Sequence, residues 1–159
     1  MHELKSTAGI AKPELYAQLA RELHCLIEGE PDFIANLANA SALLFHSLPE
    51  LNWAGFYLLR DGELVVGPFQ GKPACVRIAM GKGVCGTSAA SRTTLVVPNV
   101  NEFAGHIACD SASNSEIVVP LIRGGELLGV MDIDSPKLNR FDAADKLGLE
   151  RFAAVLLGS

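Results

Sequence analysis

The chain has 159 residues, of which 49% are hydrophobic and 19% charged, values that fit one globular domain and exclude wholesale disorder. Its 13 basic and 18 acidic side chains give a formal net charge of -5, and the basic residues are scattered, so nucleic acid is not expected as a partner. The first residues, MHELKSTAGIAK, lack the apolar stretch of a secretory signal, and no run reaches the roughly 20 apolar residues of a membrane span. We therefore expect one domain over residues 1–159, with a flexible segment over residues 1–12, in the cytoplasm.

Two helices are predicted in the first third of the chain. From Pro13 to Gly29, apolar residues recur at every third or fourth position, and a proline in the first turn favours a helix start. Residues 32–48, DFIANLANASALLFHSL, predict a second helix that Asp32 caps and Pro49 follows. Cys25 falls within the first helix and is expected to be inert.

After Pro49 the chain changes to short β runs separated by turn residues. The pairs Asp61-Gly62 and Gly124-Gly125 each lie between two such runs, which is typical of a hairpin and predicts antiparallel pairing. The predicted strands are NWAGFYLL, ELVVGPF, CVRIA, TLVVPN, EIVVPLI and ELLGVMDID.

Two further helices complete the predicted elements. Residues 81–92, GKGVCGTSAASR, begin with glycines and continue with small residues, which indicates a short helix across the sheet. A last helix is expected from Asp142, with Leu147, Phe152, Ala153 and Leu156 on its apolar face. The order of elements predicts an α+β fold, in which one antiparallel sheet has the terminal helices on one face and loops forming a small-molecule pocket on the other.

Three of the four cysteines lie in glycine-rich or loop settings: Cys75, Cys85 and Cys109. A thiol attacks as the thiolate, and its pKa falls near a helix N-terminus or a cation. Cys85 starts a predicted helix near Lys82; Cys109 lies beside His106, although Asp110 opposes ionisation there. The residues alone do not rank the two thiols. Loop thiols of this kind favour a redox cycle, without an organic cofactor, in which one becomes a sulfenic acid and the other captures it as a disulfide.

Acidic residues form the second candidate group. Glu116 opens the run EIVVP, and Asp132 and Asp134 end the following strand, where alternation puts both on one face. A solvated strand end explains Asp134 well, but it explains Asp132 less well, because apolar residues flank that position. Converging carboxylates repel each other, so at least one pKa should rise and provide a proton donor, while the others offer a seat for an ammonium group.

Aromatic residues form the third group. Trp53 is the only tryptophan and by default a core residue. At the start of a strand its indole also suits the wall of a pocket for a methyl or thioether group. Tyr57 lies on the same face and adds a hydroxyl.

Taken together, the segments NWAGFYLL, GPFQGKPACVRIAMGKGVCG, GHIACDSASNSEIVVPL, GVMDIDSP and RFDAAD resemble one family, the free methionine-R-sulfoxide reductases, a catalytic branch of the GAF domain fold. The resemblance runs from about Pro13 to the C-terminus. The chain differs from the family's common VPDVH and FPGH at Asn99, Asn101 and Ala104. The resemblance implies reduction of the R epimer of free methionine sulfoxide, not of protein-bound residues, with thioredoxin as the reductant.

The resemblance also implies a role for each site residue. Cys109 resembles the nucleophile that attacks the sulfoxide sulfur, Cys75 the resolving thiol that closes a disulfide with it, and Cys85 an alternative partner. The acids that hold the ammonium group and polarise the sulfoxide oxygen match Glu116, Asp132 and Asp134. Trp53 matches the residue that packs against the substrate methyl group.

Two other functions stay open on the sequence alone. A non-catalytic GAF module would bind a small ligand such as free methionine or a nucleotide and sense oxidation through its thiols, although such a module is usually fused to an output domain and none is expected here. A metal-binding protein would use Cys75, Cys85, Cys109 and His106, but the close-spaced cysteine pair typical of such sites is missing. A homodimer through the terminal helices is also left open.

Overall fold

The computed structural model describes residues 1–106 and 111–158. The helices in these ranges are α1 (Lys12–Ile27), α2 (Phe33–Ser47), α3 (Gly83–Ser91) and α4 (Ala143–Leu156), with a 3-10 turn over Val100–Glu102. The strands are β1 (Trp53–Arg60), β2 (Glu63–Gly71), β3 (Arg77–Ala79), β4 (Leu95–Val97), β5 (Ser115–Arg123) and β6 (Glu126–Ser135). None of the helices described here has both the length and the apolar character needed to cross a membrane.

Side-chain caps explain where two of the helices begin. The carboxylate of Asp32 accepts a hydrogen bond from the backbone N–H of Ala35 at 2.9 Å, which satisfies a donor that the first turn of α2 leaves unpaired. Asp142 and Asp145 form a reciprocal capping box at the start of α4. The predicted helix starts at Asp32 and Asp142 are therefore confirmed.

The six strands form one antiparallel sheet in the order β3-β2-β1-β6-β5-β4. The turn between β1 and β2 places Asp61 at φ 49° and Gly62 at φ 83°, and the turn between β5 and β6 places Gly124 at φ 59° and Gly125 at φ 78°. Positive φ at both central residues gives a two-residue turn the twist that an antiparallel hairpin needs. Both predicted hairpins are confirmed.

The sheet separates two layers of different character. Helices α1, α2 and α4 cover one face, where they bury a core with inward residues of β1, β5 and β6 such as Phe56, Ile117 and Met131. The other face carries α3 and the connecting loops, together with a smaller apolar cluster that includes Trp53 and Tyr57. The predicted α+β class, with terminal helices on one face and loops on the other, is confirmed.

One predicted core position on α4 is wrong. Leu147 is 72% exposed, whereas Leu149 is fully buried. Leu149, Phe152, Ala153 and Leu156 follow the spacing i, i+3, i+4, i+7, so they lie on one side of the helix, and Leu147 points away from it.

Candidate functional site

A cavity opens on the face of the sheet that carries α3. It lies between the start of β1, the starts of β5 and α3, the end of β6 and the linker between β2 and β3. Six residues predicted from the sequence line it: Trp53, Tyr57, Cys85, Glu116, Asp132 and Asp134. The chain therefore brings together side chains up to 81 positions apart, the separation of Trp53 and Asp134. Lys72, Lys82, His106 and Ser113 also line the cavity.

Strand register explains why the three acids meet. Glu116 on β5 pairs directly with Asp134 on β6, and Asp132 lies two positions before Asp134 on the same face. Asp134 also pairs with Trp53 on β1, and Asp132 pairs with Gly55. Glu116 is 7% exposed and Asp132 is 5% exposed, so the solvated strand end considered for Asp132 from the sequence does not describe it. Asp134 is half-buried.

Burial sets the protonation of this cluster. It raises the pKa of Glu116 well above its usual range, and the negative charges of Asp132 and Asp134 and hydrogen bonding with both raise it further. Burial also raises the pKa of Asp132, although hydrogen bonds with Glu116 and Cys85 oppose that shift. Burial and the neighbouring charges thus favour the protonated form of Glu116.

Asp132 has unused bonding capacity. Its Oδ1 is buried and has no hydrogen-bond partner among residues 1–106 and 111–158. An unpaired buried carboxylate oxygen is costly, so a donor bound in the cavity would gain from pairing with it. Asp132 therefore offers an acceptor to a donor group bound in the cavity, and its role in binding an ammonium group stays a prediction.

Cys85 lies beside the acids and not on a loop surface. It is the third residue of α3 and is 4% exposed, and its Sγ donates to Glu116 Oε1 at 3.9 Å. Burial raises the pKa of this thiol well above its usual range, and the charges of Asp132, Glu116 and Asp134 add to the effect. The prediction that the helix start and Lys82 would lower this pKa is wrong, because burial and three carboxylates outweigh them.

The remaining cysteines have different surroundings. Cys75 lies in the Lys72–Val76 linker and is disulfide-bonded, whereas Cys25 and Cys85 carry free thiols. Cys25 is exposed on α1, away from the cavity. Cys109 and its neighbour Asp110 lie outside the described residues, so the role of Cys109 stays a prediction.

Aromatic side chains form one wall of the cavity. Trp53 stacks on Tyr57 with ring centroids 5.8 Å apart and on Phe69 at 5.0 Å. The Trp53 Nε1–H donates to the carbonyl of Lys72 at 3.2 Å, and the Tyr57 hydroxyl donates to the carbonyl of Cys75 at 3.0 Å. Tyr57 therefore lines the cavity as predicted, but its hydroxyl is engaged with the linker.

Sequence reasoning missed two residues that shape this wall. Phe69 on β2 stacks on Trp53, and Gly71 has φ 132°, where a Cβ would lie 2.6 Å from Trp53 Cδ1. Only glycine lets the backbone come so close to the indole. The signal in the sequence was the glycine at the end of GPFQG, which a strand interior does not favour.

One group of side chains in the described ranges has the geometry to hold a metal ion. The ligand atoms of Cys85, Glu116 and Asp132 all lie within 4.8 Å of one another. One sulfur and two carboxylate oxygens are donors that zinc accepts. Neither Cys75 nor His106, which the sequence suggested for a metal, belongs to this group.

Comparisons with known proteins agree with the fold. The chain matches the GAF domain family model over residues 19–156. It is 56% identical over 147 residues to protein YtsP of Bacillus subtilis, covering 91% of this chain and 90% of that protein. It is 54% identical over 145 residues to the free methionine-R-sulfoxide reductase of Escherichia coli, covering 91% of this chain and 88% of that enzyme. The X-ray structure of free methionine-R-sulfoxide reductase from Neisseria meningitidis in complex with its substrate is similar at a TM-score of 0.94 and 43% identity, covering 99% of this chain and 95% of that one.

Proposed function

Because the chain belongs to the free methionine-R-sulfoxide reductases of the GAF domain family, we propose that it reduces free L-methionine-(R)-sulfoxide to methionine by thiol chemistry. The observation that carries this proposal is the cluster of the buried acids Glu116 and Asp132 with the half-buried Asp134. It lies in a cavity between an aromatic wall and the linker that holds Cys75. Such a cavity offers a proton, a seat for a cation and an apolar surface within one small volume.

In the first step Cys109 acts as the nucleophile. Its thiolate attacks the sulfoxide sulfur while the sulfoxide oxygen takes a proton from Glu116. The sulfur–oxygen bond breaks as the hydroxyl group transfers to the Cys109 sulfur, and the transient sulfur–sulfur bond breaks to release methionine, so Cys109 becomes a sulfenic acid. The raised pKa of Glu116 supports this role, because a carboxyl group that holds its proton more readily can act as a general acid.

In the second step Cys75 acts as the resolving thiol. It attacks the sulfenic sulfur, a disulfide between Cys75 and Cys109 forms, and water leaves. The disulfide-bonded state of Cys75 supports this assignment, since Cys25 and Cys85 are free. The low exposure of Cys85 and its raised pKa argue against it as the first choice of partner.

The third step returns the enzyme to its starting state. Thioredoxin supplies two electrons and two protons, which restores both thiols and leaves the oxidised form of thioredoxin. This part of the proposal places the protein in the cytoplasm, where thiols are kept reduced and where methionine oxidised under oxidative stress would be recovered. The cycle needs no organic cofactor.

Selectivity for the free amino acid follows from its two charged ends. We assign the ammonium group to Asp134 and to Asp132, whose Oδ1 has no hydrogen-bond partner among the residues that the structure describes, and the methyl group to Trp53. Backbone N–H groups between Cys109 and Glu116 would take the carboxylate. A peptide-bound methionine sulfoxide lacks both charges and would leave buried acids unpaired, which is a strong ground for rejection.

An assay that couples NADPH consumption to thioredoxin tests this function. Free methionine-R-sulfoxide should be reduced, whereas the free S epimer and an N-acetylated, amidated R-sulfoxide should react at least about 100-fold more slowly. Equal rates on all three substrates would refute the proposed specificity. Tight binding of free methionine without any turnover would instead support a ligand-sensing GAF module.

The oligomeric state can be measured on the same purified protein. A homodimer through the terminal helices is part of this proposal. Analytical ultracentrifugation of the wild type over a range of concentrations measures it.

A further inference from the structure

The linker between β2 and β3 is held at three points. Its carbonyl groups accept hydrogen bonds from Trp53 Nε1 at Lys72, from the Tyr57 hydroxyl at Cys75 and from the backbone N–H of Val66 at Val76. Two of these three donors are side chains that also line the cavity. The segment that carries Cys75 has no helix or strand over residues 72–76, so these contacts fix it where regular pairing does not.

We propose that Tyr57 and Trp53 are positioning residues that hold the 72–76 linker so that Cys75 can close the disulfide. This inference rests on the proposed function, because it concerns the second step of that cycle. It assigns the Tyr57 hydroxyl to the linker, in place of the substrate contact that the sequence suggested.

The two side chains are well suited to hold the linker in place. Both belong to β1, which pairs with β2 on one side and with β6 on the other. Tyr57 is 2% exposed and Trp53 is 3% exposed, so little water competes for their hydrogen bonds. Phe69 and Gly71 confine the indole further, because one stacks on it and the other lets the backbone approach it.

Formation of the disulfide depends on how the linker positions Cys75. When Cys75 attacks the sulfenic sulfur of Cys109, a sulfur–sulfur bond forms, hydroxide leaves as water with the thiol proton, and no further oxidant is needed. The rate of such an intramolecular step follows the fraction of time that the two sulfurs are correctly placed. Loss of one buried hydrogen bond to the linker should lower that fraction about fivefold.

The test compares two tyrosine-to-phenylalanine variants, since the chain has two tyrosines. Tyr57→Phe removes the hydroxyl that contacts the linker. Tyr16→Phe is the matched control, because its hydroxyl is also buried but donates to Asp145 at 2.8 Å, between α1 and α4. Pre-reduced protein is mixed with free methionine-R-sulfoxide and quenched at intervals, and methionine formation and loss of free thiols are measured separately.

We expect Tyr57→Phe to lower the ratio of the closure rate to the methionine-formation rate about fivefold. Sulfenic acid should then accumulate and be trapped by a cyclic 1,3-dione, as detected by intact mass. Tyr16→Phe should keep the wild-type ratio. A general loss of structure would slow both steps equally and leave the ratio of their rates unchanged. An unchanged ratio in Tyr57→Phe therefore overturns the inference.

Trp53→Phe supplies a second variant in case Tyr57→Phe does not fold. It keeps an aromatic ring but removes the N–H that contacts the Lys72 carbonyl, and the ratio should again fall. If the ratio is unchanged in every variant that folds, the inference fails while the proposed function stands. If wild-type protein forms no methionine, the proposed function fails and this inference fails with it.

Discussion

The thiol of Cys85 donates to Oε1 of Glu116 across 3.9 Å, inside a buried cluster of acids. A thiol in this setting stays protonated, because burial and the neighbouring carboxylates raise its pKa. Cys85 therefore stays a proton donor to Glu116, and the resolving role is left to the half-buried Cys75.

Substitution of the two candidate resolving thiols, Cys75 and Cys85, should have different effects on the number of turnovers. Cys75→Ser should form about one methionine per protein and then stall, because no thiol captures the sulfenic acid. Cys85→Ser should continue past the first turnover, since the hydroxyl still donates to Glu116. Methionine formed per protein in the presence of thioredoxin measures both. The assignment is wrong if the two variants exchange behaviours.

Removal of the proposed nucleophile should abolish activity. Cys109→Ser should form no methionine even in a single turnover, because a serine hydroxyl does not replace the thiolate. Cys25→Ser is the matched control, since that thiol is free, exposed and remote from the cavity, and it should behave as wild type. Sustained turnover in Cys109→Ser would refute the assignment.

Glu116→Gln should lower kcat by about 10²- to 10⁴-fold, the range expected for loss of a general acid. Glutamine has the same shape but cannot supply the proton. Glu126→Gln is the control, because Glu126 is exposed at the other end of the same hairpin. Steady-state kinetics on the free R-sulfoxide gives the comparison, and wild-type kinetics in Glu116→Gln would exclude this role.

The contact between α1 and α4 depends on Gly148. A Cβ at this position would lie 2.1 Å from Cγ of Tyr16, close to the backbone end of that side chain. Gly148→Ala should therefore destabilise the fold by about 1–2 kcal/mol, because overpacking outweighs the ~1 kcal/mol gain in helix propensity. Urea unfolding measures the change, with Leu147→Ala on the exposed side of α4 as the control. A more stable Gly148→Ala variant would contradict the packing argument.

The start of α4 should contribute to stability in a pH-dependent way. The Lys12 ammonium, 2.9 Å from Asp142, and the backbone N–H of Asp145 lower the pKa of Asp142 to about 2, below the ~3.9 of an unfolded chain. Between these values the unfolded state binds more protons. The stabilisation is therefore present above about pH 4 and is lost as the pH falls toward 2.

Asp142→Asn isolates this effect, because asparagine still caps the helix but carries no charge. Wild type should be more stable than the variant near pH 6, and the gap should close near pH 2. Free energies of unfolding in urea measure it, and Glu126→Gln should show no such trend. A gap that does not change with pH would contradict the linkage.

Much of the fold could be predicted because local chemistry determines it. The hairpins at Asp61-Gly62 and Gly124-Gly125 need residues that tolerate positive φ, and such pairs are easily recognised in a sequence. The common face of Asp132 and Asp134 follows from strand alternation alone. The grouping of Glu116 with them needed only the correct pairing of β5 with β6.

Other features of the site depend on contacts between residues that are far apart in the sequence, which a local pattern does not predict. The sign of the pKa shift at Cys85 was missed, because it depends on carboxylates that follow 31 and 47 positions later, at Glu116 and Asp132. The partner of the Tyr57 hydroxyl was missed because residues 72–76 have no periodicity to predict from. The error at Leu147 has a different cause, since the helical spacing in the sequence itself favours Leu149.

Strand β1 contributes side chains both to the hydrophobic core and to the cavity. Ala54, Phe56 and Leu58 point into the helix-covered core, while Trp53 and Tyr57 point into the cavity. If the pairing register of β1 against β6 shifted by one residue, each side chain of β1 would point to the opposite face of the sheet. The core would then lose its apolar residues and the cavity would lose its aromatic wall. Turnover per molecule should thus report the fraction of chains whose central strand has found its proper partners, which makes enzymatic assay a folding probe for this protein.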